Sequence, residues 1–408
     1  MVDCSLRQRQ DVFGDEPMQP TGPAVRIPWA FGDHPFALGI AATFPGRNTM
    51  RLKTAIITLM CLALAVPAMA GSFEEVVRIS SDELVIANLV GHIEVVQGGD
   101  EYVIEIRVQG ADADRDEIKI VQETIDGVDV LRVEFPVDEH KTYIYPGMGR
   151  GKSSIQFRNT DETDSVWNKI RDAIGGQRIT VKGKGSGFEA WADITVKVPR
   201  DCITTIRLGV GDIVAREVTG DLTLDTNSGP ITAERINGSL VCDTGSGSVS
   251  VSRCSGYINV DTGSGSVTGD HLKGDKILID TGSGGVQLEN IDCEKLDVDT
   301  GSGSVKALGV GCDSARIDTG SGSVRLELVR MGGGRFLVDT GSGGVTLVLP
   351  DDASCSVSCD TGSGGVKVDI PNVSVERDGR NEARFTVGTG EASVILDTGS
   401  GAITVKTF

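Results

Sequence analysis

The sequence predicts an all-β chain wound as a right-handed parallel β-solenoid (a β-helix) with rungs of about 18–21 residues, an N-terminal β-rich cap and one short inserted helix. Three observations lead there. Asp-Thr-Gly-Ser-Gly recurs at Asp243, Asp261, Asp280, Asp299, Asp318, Asp339, Asp360 and Asp397, with a variant, Asp-Thr-Asn-Ser-Gly, at Asp225. The residues flanking each motif alternate apolar and polar with period two, which is a strand pattern. Glycine supplies 54 of 408 residues and aromatics only 4%, as expected of short strands joined by tight corners. A helical array is excluded, because glycine pairs at this interval would break every helix.

Taken along the chain, residues 1–49 carry scattered proline and glycine without a period and read as a start-site artefact or disordered extension. Residues 50–70 read as a signal peptide: Arg51 and Lys53, an apolar run from Ala55 to Val66, then Ala68-Met69-Ala70. The run is too short for a stable membrane anchor, and Cys61 lacks the small residues before it that a lipoprotein signal requires. The expectation is export with cleavage after Ala70, to the periplasm, the cell surface or the medium. Of the 39 basic and 58 acidic residues, six and five lie in 1–70, so 33 and 53 remain, a net of −20. Such an acidic chain lacks the basic stripe that nucleic acid demands.

Residues 71–205 are expected to form the cap and first coils. Gly91-His92-Ile93, inside Leu84–Val96, reads as an isolated first rung. Strand-like stretches follow at Tyr102–Val108, Ile118–Glu123, Val128–Phe135, Arg178–Lys182 and Ala192–Val198. Residues 138–190 depart from the pattern as an insertion. It holds a loop-like stretch with Tyr143, Tyr145 and three glycines, then a short amphipathic helix over Ser165–Ile174 with Trp167 on it.

The repeat array proper spans 206–408. Gly211-Asp212-Ile213 and Gly229-Pro230-Ile231 carry its grammar upstream of the first full motif. One residue before each Asp, and three before, stand aliphatics such as Val260 and Ile258; six and eight after stand Val249 and Val251 or their equivalents. Each rung therefore has two short runs whose like residues stack from rung to rung. Parity turns the Thr of each motif inward and its Asp outward. Residues 371–396 lack a clean motif and read as an irregular penultimate coil before the last motif closes the stack.

From about Ser72 to Phe408 the chain resembles a bacterial adhesin-like family built from β-strand repeats. The likeness lies in Ala87–Val96, Ile194-Thr195-Val196-Lys197-Val198-Pro199, Gly211-Asp212-Ile213, Gly220-Asp221-Leu222 and the repeated Thr-Gly-Ser-Gly-x-Val. The resemblance implies a right-handed β-helix-like fold, export, and a surface or envelope location. It brings no established catalytic residues. The 138–190 insertion departs from the compact family pattern.

Several chemistries compete for these residues. Asp-Thr-Gly-Ser is also the word of aspartic proteases, but that mechanism needs two carboxylates sharing a proton, not eight at a solenoid period. Stacked carboxylates about 4.8 Å apart repel by ~1 kcal/mol per pair even in water. Either hydrogen bonds from each turn's glycine amides and serine hydroxyl settle them, or the row of Asp243, Asp261, Asp280, Asp299, Asp318, Asp339 and Asp360 holds cations, Ca²⁺ foremost. No other cofactor is expected. Tyr143, Tyr145, Trp167 and Trp191 either stack on sugar rings or pack the insertion onto the coil. An ice-binding Thr array is disfavoured, since the Thr face inward. Seven Cys follow residue 70; no zinc spacing appears among them, and Cys293 and Cys312 are one period apart, either a disulfide or two stacked thiols.

The functional expectation is a non-catalytic, exported, adhesin-like solenoid that serves as a binding or structural surface for another surface, a glycan or an envelope protein. The alternative is a carbohydrate-active β-helix enzyme with its site near the 138–190 insertion.

Overall fold

The computed structural model describes residues 71–155 and 178–408. Signal peptide, leading segment, the Ser165–Ile174 helix and Trp167 lie outside them.

The array is a parallel stack in strict register. On one face Leu222, Leu240, Ile258, Ile277, Leu296, Ala315 and Phe336 succeed one another as direct partners. On the next face Ile231, Val249, Val267, Val286, Val305, Val324 and Val345 do the same. All of these side chains are buried, in one core that runs the length of the stack. Each such aliphatic gains about 1.5–3 kcal/mol from burial, and that gain repeats every rung.

The rungs have a short third side as well as the two expected runs. Val218, Ile236, Cys254, Leu272, Ile291, Val310 and Leu328 point inward from it. A left-handed residue leads into it in five successive rungs: Glu217, Arg235, Arg253, His271 and Asn290, with φ between 52° and 58°. In the 18-residue rungs a second turn leaves it through Gly238 or Gly256, both at positive φ. In the 19-residue rungs one strand runs through the corner, as in Val286–Thr300 and Val305–Thr319. Cys293 and Cys312 then become direct partners at the position that Gly274 holds one rung earlier. Both are free and buried, as are the other five described cysteines, so the stacked-thiol alternative holds.

At the N-terminal end the expected cap and isolated rung are present. The rung formed by Glu83–Val90 and Ile93–Gln97 pairs with the array through Cys202–Val210 and Ile213–Arg216. On its outer side it pairs with Val128–Glu134 and Trp191–Val198. Antiparallel strands Tyr102–Gln109 and Phe73–Ile79 extend one face, and Lys119–Ile125 extends the other. The stretch expected as loop from Tyr143 contains the strand Thr142–Ile144, which joins Lys152–Ile155 and Ile179–Lys182 in a small separate sheet.

At the C-terminal end the structure corrects the expected order. The last motif does not close the stack. The strands Ala392–Thr398 and Ile403–Thr407 slot between the Asp339 rung and the Asp360 rung, pairing in parallel with both. The spatial order of the carboxylates is therefore Asp339, Asp397, Asp360. Residues 371–391 are no penultimate coil; they supply a hairpin, Glu376–Asp378 and Glu382–Val387, laid antiparallel on Cys355–Thr361. Antiparallel strands thus cover both faces at the N-terminal end and the Cys355–Thr361 face at the C-terminal end.

Candidate functional site

The repeated corner is built around its threonine. Thr262 Oγ1 donates to the Gly247 carbonyl of the preceding rung at 2.9 Å and accepts from the Gly265 amide of its own rung at 3.0 Å. The same clasp repeats at Thr281, Thr300, Thr319, Thr340, Thr361 and Thr398. Each of these side chains is fully buried. The last glycine of each motif is demanded by close approach: a Cβ on Gly265 would lie 1.6 Å from the Gly247 carbonyl oxygen.

This settles where the glycine amides go. The first, as at Gly263, donates to the Thr carbonyl of the rung before, and the second to the Thr hydroxyl. Neither reaches the carboxylate, so the expected local settlement of the Asp row by its own turn does not occur through them. The Asp residues do form one outward row, in register from Asp225 to Asp360. Partial burial is the main cause that raises Asp243, Asp261, Asp280, Asp318 and Asp397 above the ordinary carboxylate value, with neighbouring row members adding to it in the last four.

Arginines relieve the row at two places. Arg207 stands in register ahead of Asp225 and contacts it at 3.0 Å, capping the N-terminal end. Arg316 reaches Asp318 at 2.8 Å, Asp297 at 3.5 Å and Asp299 at 3.6 Å, in the middle. Among the described residues no three His, Cys, Asp or Glu side chains converge as a ready metal site.

Of the predicted aromatic residues, Tyr143, Tyr145 and Trp191 are described, and the two tyrosines are buried. Tyr143 is wholly buried, edge-on to Phe135 and Phe188 at 5.8 and 5.7 Å. Tyr145 is also buried and lies 5.9 Å from the half-buried Trp191. Packing of the insertion onto the coil accounts for both tyrosines. Beside them an open depression of about 730 Å³ is lined in part by Asp112, Asp114, Glu117, Glu139, His140 and Phe188.

A cluster that the sequence reading passed over lies at the first rung. The register of Ile194, Ile93 and Ile213 sets Asp193, His92 and Asp212 side by side. His92 Nδ1 is 2.8 Å from Asp212 Oδ2, and the His92 amide donates to Asp193 Oδ1 at 3.0 Å. The bond to Asp212 raises the His92 pKa and lowers that of Asp212, each against a smaller opposing effect of burial. The signal was in view, since His92 and Asp212 hold the same place in two Gly-x-Ile words.

Comparison with known proteins places this geometry. Residues 177–406 match the family described as Toastrack DUF4097. No curated protein matches the chain. Among solved structures, a "putative cell adhesion protein" from Clostridium sporogenes is 14% identical, covers 83% of this chain and 100% of its own, and has a TM-score of 0.20. A "putative adhesin" from Parabacteroides distasonis is 13% identical over 83% and 97%, with a TM-score of 0.37. Another from Bacteroides fragilis is 11% identical over 82% and 97%, with a TM-score of 0.29. Likenesses at these TM-scores carry no argument of their own.

Proposed function

The chain belongs to the Toastrack DUF4097 family, and from that premise we propose that it is a non-catalytic, exported, adhesin-like solenoid presenting a binding or structural surface in the bacterial envelope. The observation that carries this reading is the outward side of the first face. Its three columns run in register along the stack. The first holds Ile203, Asp221, Tyr257, Lys276, Lys295, Ser314 and Arg335; the middle one mixes aliphatic with polar and charged residues, Val241, Asn259, Leu278, Asp297, Arg316, Leu337 and Ile395 in turn; the third is the Asp row. Ile203 and Tyr257 are exposed.

A face with basic residues on part of one margin, the Asp row on the other and a mixed aliphatic and polar column between suits an extended partner, a glycan or an envelope protein, engaged over several rungs. The proposed export rests on the Met50–Ala70 segment, and no described helix is long and apolar enough to cross a membrane.

The test is retention of bacterial envelope fractions and surface polysaccharides by the purified chain, with new reducing ends assayed in the same samples. Retention that falls when Lys276, Lys295 and Arg335 become Glu, without new ends, is the expected result. New ends from an acidic polysaccharide would overturn it in favour of an enzyme working near the 138–190 insertion. A secreted protein whose first residue is Gly71 would establish export.

A further inference from the structure

We infer that the Asp193–His92–Asp212 stack is a protonation-operated clasp on the seam between the N-terminal cap and the repeat array. Three strands distant in sequence meet there. Ile93–Gln97 is flanked by Trp191–Val198 on one side and Ile213–Arg216 on the other. The stack crosses both boundaries at one corner, so holding it together holds the first rung in place.

The charges around the ring explain why its proton matters. Asp212 faces it from the corner ahead of Ile213–Arg216, Asp193 from Trp191–Val198, and Glu94 from its own strand. Asp193 also accepts from Gln109 Nε2 at 2.6 Å, reaching back to Tyr102–Gln109. Tyr145 lies near enough to feel Asp193 and Asp212, though burial is what chiefly pushes its hydroxyl up, to about 12. The nearby arginines are engaged elsewhere: Arg216 with Glu94 at 2.8 Å, and Arg107 with Glu74. Among the described residues, a charged His92 is therefore the cation that sits between Asp193 and Asp212. When it is neutral, Nδ1 can still bond Asp212, but two carboxylates from different strands are left without it.

The side chains of His92 and Asp212 are 35% and 40% exposed, so solvent protons reach them directly. The sign follows from the directions of the two shifts. His92 binds its proton more tightly folded than unfolded, so its contribution is complete below the ordinary histidine value of 6.5 and fades as pH rises through the higher folded value. Asp212 contributes above the ordinary value of 3.8 and fades as pH falls through its lower folded one. The clasp is tightest in mildly acid solution, between those two values, and loosens toward alkaline pH.

Two measurements on the full chain test this. The chain has four histidines, so ¹³Cε1-histidine labelling gives four ring signals, and His92→Gln identifies the one of interest. That signal is expected to titrate above 6.5, and its midpoint to fall in Asp212→Asn. Hydrogen exchange, corrected for intrinsic rate, is expected to show 93–97 and 213–216 losing protection as pH passes the His92 midpoint. His92→Gln is expected to flatten that dependence. A His92 midpoint at or below 6.5, or one unmoved by Asp212→Asn, overturns the inference. So does seam protection with the same pH dependence in His92→Gln, a readout that stands even if Asp212→Asn fails to fold.

Discussion

The middle of the array and its C-terminal end use the same motif in two different ways. From Asp243 to Asp339 each rung pairs with its immediate neighbours in sequence, so every contact spans about one period. At the end, the last rung in sequence is the next-to-last in space, gripped by the Asp339 and Asp360 rungs. The N-terminal end mirrors this, with Glu83–Val90 held between Val128–Glu134 and Cys202–Val210. A simple array can fray from its ends one rung at a time. Here the terminal rungs are internal, and neither can leave without breaking two interfaces.

The largest effect should come from removing residues 392–408. Ala392, Val394, Leu396, Ile403 and Val405 are fully buried, so the loss is on the order of 10 kcal/mol. Residues 355–387 should become open to protease along with it, whereas a chain stacked in sequence order would keep them folded. Within the regular array, Gly265→Ala drives a methyl into the Gly247 carbonyl and should cost about 3 kcal/mol or more in denaturant unfolding. Thr300→Val keeps the shape but leaves the Gly284 carbonyl and Gly303 amide without their partner. It should cost about 1–3 kcal/mol.

The smallest effect separates packing from charge. Asp280 is raised by burial first and then by Asp261 and Asp299. Its ionised form therefore opposes folding, and the penalty is absent below its ordinary range and grows as pH climbs through the raised value. Asp280→Asn should stabilise the chain at neutral pH by roughly 0.3 kcal/mol after solvent screening. The gain should vanish near pH 3 and shrink in high salt. If added Ca²⁺ raised the wild-type midpoint and the variant abolished that rise, the row would be a cation site.

Much of this was legible because the repeat is strict. Parity alone turned Thr262 inward and Asp261 outward, and the structure places both so. The third side was not legible, since its corner uses left-handed Arg235, Arg253 and His271, side chains that announce no turn. The threading of the last rung was not legible either. A period counts rungs along the chain but says nothing of their order in space, and the gap of 37 residues between Asp360 and Asp397 was its only trace. Tyr143 and Tyr145 are buried because aromatic residues in an insertion are also what attaches it to the coil, as Tyr143 shows. The His92 cluster needed the register of Gly91-His92-Ile93 against Gly211-Asp212-Ile213, two words separated by the whole cap.

Gly401→Ala in the full chain tests the threaded end most directly. Gly401 stacks between two other motif glycines: its added Cβ would lie 1.9 Å from the Gly343 carbonyl oxygen, and a Cβ on Gly364 would lie 2.0 Å from its own carbonyl. Hydrogen exchange should then accelerate on both sides, in Arg335–Thr340 and in Cys355–Thr361 alike. Acceleration confined to Cys355–Thr361, with Arg335–Thr340 unchanged, would show that the rungs stack in sequence order and would contradict the account.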